Sequence, residues 1–78
     1  MKVLWDLKNK KAIPVHHIRV FEIEDHTKMS DHDKNALGIE DYSVIARYQV
    51  CTGDWARVFT AKTKAECIHF IDVIEDSL

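Results

Sequence analysis

The sequence predicts an α+β fold: a small antiparallel β-meander of about four strands, with one C-terminal α-helix packed across one face. Three observations carry this expectation. Short segments rich in β-branched and aromatic residues alternate apolar with polar side chains. A glycine-bearing turn at Thr52-Gly53-Asp54 separates the two strongest of them. The apolar period then lengthens to that of a helix from Lys64 onward. The chain has 78 residues, 46 % hydrophobic and 31 % charged, with two Gly and one Pro, a globular composition that argues against disorder or low complexity. Residues 1–78 read as a single domain. A chain this short hides only about 60 % of its unfolded surface, so its core must be thin and helped by a long helix or a partner.

Each element follows from its local pattern. Val3, Trp5 and Leu7 alternate with Lys2, Asp6 and Lys8, the period of a half-buried strand whose apolar set faces the core. Asn9-Lys10-Lys11 is a polar turn. From Ala12 to Glu24 the alternation slips phase, with Ile13 and Val15 in one phase and Ile18 and Val20 in the other. Such a slip flips side chains to the opposite face unless a bulge or short turn absorbs it. The His16-His17 pair marks the slip; as adjacent strand residues they would point to opposite faces. Pro14 lacks an N–H, which places this stretch at a sheet edge or strand start. Residues 25–41 hold most of the acidic charge without sustained periodicity, a long surface loop with room for one short helical turn. Tyr42 to Cys51 is the strongest strand, and Trp55 to Thr60 returns as its hairpin partner. Thr63-Lys64-Ala65-Glu66 fits a capping box ahead of a helix from about Lys64 to Asp76. Cys67, Ile68, Phe70, Ile71, Ile74 and Leu78 fall on its apolar face, with Lys64, His69, Asp72 and Asp76 opposite.

Bulk properties exclude several classes. No stretch approaches the ~20 consecutive apolar residues of a membrane span. Asp6 interrupts the opening residues, so no secretory signal is read and the cytoplasm is the expected compartment. Cys51 and Cys67 read as separate buried thiols rather than a disulfide. Charge is uneven: residues 1–19 carry +4, residues 20–41 carry −5 and residues 42–78 carry −1. A basic opening beside an acidic middle suits intramolecular pairing, and also a dipolar docking surface.

The chemistry-bearing residues do not assemble a catalytic motif. The five histidines lack the paired ligand spacing of a zinc site. Asp31-His32-Asp33-Lys34-Asn35 echoes the start of a calcium loop, but Ala36 replaces the required Gly and Tyr42 the closing Glu. With only Gly38 and Gly53, no phosphate loop or nucleophile elbow exists. No catalytic residue, metal or cofactor is expected, and the protein is not read as an enzyme. Lys8, Lys10, Lys11 and Arg19 form a candidate basic patch, with a tryptophan available to stack a base. Asp31, Asp33, Glu40 and Asp41 form a candidate partner surface, and two Trp and two Tyr supply potential interface anchors.

The order of features resembles a group of very short proteins of unknown function from Gram-positive bacteria and their prophages or mobile elements. The matching pieces are Trp5, Val15-His16-His17-Ile18, Tyr42-Ser43-Val44-Ile45-Ala46, and Phe59-Thr60 followed by Thr63-Lys64-Ala65-Glu66-Cys67. Cys67 stands where that pattern usually has Ala, and the acidic loop is longer. The resemblance implies a fold and a mobile-element setting, and brings no active site, since the group has no established activity. The expected function is a non-enzymatic cytoplasmic adaptor or regulator that binds another protein. A homodimer through the helix face or a sheet edge would complete the core. The alternative is a nucleic-acid-associated accessory protein using the Lys8–Lys11 turn.

Overall fold

The computed structural model describes residues 3–49 and 54–76. Its elements run β1 (Val3–Asp6), β2 (Lys11–Pro14), a 3₁₀ turn (Val15–His17), β3 (Val20–Asp25), α1 (Asp31–Leu37), β4 (Tyr42–Gln49), β5 (Asp54–Ala61) and α2 (Lys64–Asp76). This is the expected small α+β architecture. Its five strands form two antiparallel sheets, a β1-β2 hairpin and a three-stranded sheet in the order β3-β4-β5. The hairpin joins the larger sheet beside β5, where Leu7 N–H donates to the Arg57 carbonyl at 2.9 Å.

Register separates the faces of the larger sheet. Phe21 opposes Ala46 and Ile23 opposes Val44; Val44 opposes Phe59 and Tyr42 opposes Ala61. This face is covered by α2 and the hairpin. Leu4, Ile13, Val15, Val44, Ala46, Ala56, Val58 and Cys67 form one buried cluster, with Phe21, Phe59, Phe70, Ile71 and Ile74 packed against it. Phe59 and Phe70 stack with ring centres 4.4 Å apart, which fixes α2 to β5. The opposite face carries Glu22, Ile45 and Arg57 in one cross-strand row. Ile45 and Ile39 are buried outside the main cluster.

Four sequence expectations are corrected. First, β1 has the opposite phase: Leu4 and Asp6 are buried, whereas Trp5 is 52 % exposed and Val3 is also exposed. Asp6 turns inward because its carboxylate closes the hairpin turn, and strand alternation then turns Trp5 outward. Second, His16 and His17 are not strand residues on opposite faces. They lie in the 3₁₀ turn with their rings edge-on, centres 4.3 Å apart. Pro14 cannot continue the ladder, Ile18 N–H bonds back to the Val15 carbonyl at 3.0 Å, and the turn absorbs the phase slip.

Third, the segment 25–41 is more ordered than a loop, because α1 occupies it. Ser30 Oγ accepts from Asp33 N–H at 3.1 Å. At the other end Gly38 takes φ 68°. Its N–H bonds to Asn35 O, and Ile39 N–H reaches Lys34 O at 3.0 Å, a Schellman closure with buried Ile39 as its apolar follower. His26 N–H donates to Asp41 O at 2.7 Å, which clamps the two ends of the excursion. Fourth, Ile68 is exposed on α2 rather than packed. The helix bounds stand as expected, and Thr63 Oγ1 accepts from Glu66 N–H at 3.3 Å. Leu78, Cys51 and most of the Thr52-Gly53-Asp54 turn lie outside the described residues.

Candidate functional site

The β1-β2 turn is organised by a buried carboxylate. Asp6 is 1 % exposed. Its Oδ1 accepts from Lys8 N–H at 3.0 Å and Asn9 N–H at 3.1 Å, and its Oδ2 accepts from Asn9 Nδ2 at 3.0 Å. Burial alone would push this carboxyl up. The Asn9 and Lys8 hydrogen bonds and the Lys11 charge outweigh burial and hold it below the usual carboxylate range. Lys10 completes the turn at φ 57°, a left-handed conformation that a residue with a Cβ enters at a cost. Lys8 and Lys10 are thereby both carried on this hydrogen-bonded turn.

The acidic candidates are split by one lysine. Lys34 Nζ bridges Asp31, at 3.4 Å, and Asp41. The hydrogen bond that Lys34 donates to the Asp41 carboxylate leads the effects that raise the Lys34 pKa above its usual value. Asp31 nonetheless keeps a 95 % exposed side chain. Asp33 lies in the first turn of α1 and is exposed, while Glu40 is anchored through its backbone, whose N–H donates to Thr60 Oγ1 at 2.6 Å. Thus two of the four acids are already paired, and only a shallow polar depression connects Asp31, Glu40 and Asp41 with Lys34 and Lys62.

The basic candidates are likewise distributed. Lys8 and Lys10 belong to the β1-β2 turn beside β5, and Lys11 opens β2. Arg19 precedes β3, its N–H on the Arg47 carbonyl at 2.7 Å, so β4 and β5 lie between it and the lysines.

What the fold does bring together is a cleft of about 620 Å³ between the β1-β2 turn, the end of α1 and β5. Lys8 and Lys10 line it from the turn, Leu37 and Ile39 from the end of α1, and Trp55 and Arg57 from β5. Trp55 is 46 % exposed and Leu37 is 59 % exposed. The Arg57 guanidinium lies 5.9 Å from the Trp55 ring centre, and its Nη2 donates to Glu24 Oε1 at 3.1 Å. Glu24 also stands 3.2 Å from His26 Nε2. Arg57 Nε is buried without a hydrogen-bond partner among the described residues. Leu7, the first residue of the turn, also lines the cleft.

A second open groove, of about 810 Å³, runs between α2 and β5 over the stacked Phe59 and Phe70. Charges of both signs border it, Glu40 and Glu66 with Lys62. Cys67 is fully buried, and burial pushes its thiol up, away from the thiolate that nucleophilic chemistry needs. Among the described residues, no group of three or more His, Cys, Asp or Glu is placed to hold a metal ion. Among the same residues, no helix is long and apolar enough to cross a membrane.

Sequence reasoning found the lysines and both tryptophans but missed the α1 end, Leu7 and Arg57 as parts of one cleft. Ser30-x-x-Asp33 and Gly38 were the available signals, since they bound a helix. Comparison with known proteins returned no match to any family model, curated protein or solved structure.

Proposed function

We propose that the protein is a non-enzymatic cytoplasmic binding module that captures another protein through the exposed Trp5 and Trp55 and the cleft that Trp55 lines. The carrying observation is the exposure of both tryptophans, 52 % and 46 %, in a domain whose core is closed by other residues. Exposed tryptophan beside a rimmed apolar cleft is the chemistry of an interface anchor. Covering the open half of one indole is worth about 3 kcal/mol gross, taking about 250 Å² for the whole side chain. Two indoles together, about 6 kcal/mol, reach only the lower part of the ~4–15 kcal/mol association cost, so net affinity draws on the cleft as well. The resemblance to mobile-element proteins enters this reading only as a guide to which partners to try first.

The test is a tagged capture from host lysate, with and without nuclease, comparing the wild-type protein with a Trp5→Ser/Trp55→Ser variant shown to be folded by circular dichroism. Capture of a defined protein that survives nuclease and disappears with the double variant is the expected result. Capture abolished by nuclease would transfer the function to nucleic acid and to the Lys8–Lys11 turn.

A further inference from the structure

We infer that the Trp55 cleft takes an acidic peptide segment with one bulky apolar anchor. This rests on the protein-binding reading above and specifies the partner's chemistry. The cleft has an apolar floor from Leu7, Leu37 and Ile39, and the charged side chains lining it are Lys8, Lys10 and Arg57. Lining carboxylates are absent from it among the described residues. Arg57 is paired with Glu24 and its side chain is only 14 % exposed, so the charge offered to an incoming chain is that of Lys8 and Lys10. A cationic rim over an apolar floor is complementary to carboxylates flanking a hydrophobic side chain.

The turn itself bears on the same ligand. Lys10 holds φ 57°, where Gly or Asn would be easier, and this strained position supplies one of the rim charges. The Schellman closure of α1 satisfies the Lys34 and Asn35 carbonyls, which lessens the negative character that a bare helix end would present to an acid. A long polyanion fits less well. Asp31 and Asp33 lie on the same short helix as Leu37, and Arg19 is across the sheet, so the basic surface does not extend along a nucleic-acid strand.

The experiment is a random-peptide phage selection against the full chain, repeated on Trp55→Ser and on Lys10→Gly, with enriched peptides synthesised and titrated by fluorescence anisotropy. Enrichment of peptides with a Leu, Phe or Trp between Asp or Glu residues is the expected outcome. Trp55→Ser should weaken them by roughly 30-fold, the effect of losing an interface hot spot. Lys10→Gly should weaken them by roughly 2–5-fold while the thermal midpoint holds or rises, which separates lost charge from lost folding. Peptides that need Trp55 but are neutral or basic would overturn the inference and leave the protein-binding reading standing. Selection of nothing that depends on Trp55 would overturn both. A fluorescein-labelled single-stranded oligonucleotide that displaces the peptides at low salt, with steep loss on adding salt, would assign the cleft to nucleic acid instead.

Discussion

Asp6→Ala removes a carboxylate that is 1 % exposed and accepts three hydrogen bonds from the turn it closes. Hydrogen bonds to a charged group are worth about 1.5–3 kcal/mol each, but water can reach the partly exposed donors and recovers much of that. A net cost of about 2–4 kcal/mol follows, at the upper end of losing a strong cap. Against the ~4–12 kcal/mol that a domain this size commands, this is a large fraction. The thermal midpoint should fall by roughly 10–25 °C. The carboxyl's folded pKa lies below its ordinary 3.8. Its stabilisation is therefore complete above the unfolded value and is lost as pH falls through the lower folded one. Urea unfolding followed by circular dichroism should accordingly show a wild-type advantage that is flat from neutral to mildly acidic pH and vanishes in strong acid. Trp5→Lys is the paired measurement. With Trp5 turned outward, its cost should stay within about 1.5 kcal/mol, because the lysine stem covers the same surface and the ammonium remains in water. An Asp6→Ala protein within about 0.5 kcal/mol of wild type, together with an unfolded Trp5→Lys protein, would refute the inverted phase of β1.

Gly38→Ala should cost about 1 kcal/mol in urea unfolding, because the φ of 68° is strained for alanine while nothing lies within 4 Å of the added Cβ. Thr63→Ala should cost about 1 kcal/mol by the same assay, through loss of the α2 cap. In a Cys51→Ser background, Cys67 should resist a thiol-specific reagent in the native protein and react at once in denaturant, since it is fully buried and its thiol is pushed up. Rapid native labelling would show that α2 opens readily from the sheet.

The regular elements were legible because their patterns are local. Thr63-x-x-Glu66 and the apolar arc placed α2, and the β-branched run from Tyr42 placed β4. The phase of β1 was not legible from hydropathy, because the side chain that decides it is a carboxylate. Asp6 is drawn inward by donors in the following turn, which outweighs burial of the neighbouring indole. α1 was underread because it is short and buries none of its own residues. Its evidence lies in Ser30 and Gly38 rather than in an apolar period. The candidate site was legible only in pieces. Lys8, Trp55 and Leu37 are far apart in sequence, and their meeting depends on the hairpin docking along β5 through Leu7 and Arg57.

The most direct test of the central claim is a two-dimensional nitrogen–proton spectrum of the labelled protein, titrated with a captured partner or selected peptide. Shifts concentrated at residues 7–10, 36–39 and 55–57 are expected, with the Trp55 indole N–H among the largest. Shifts confined to α2 and the outer edge of β3, with the Trp55 indole unmoved, would contradict that claim.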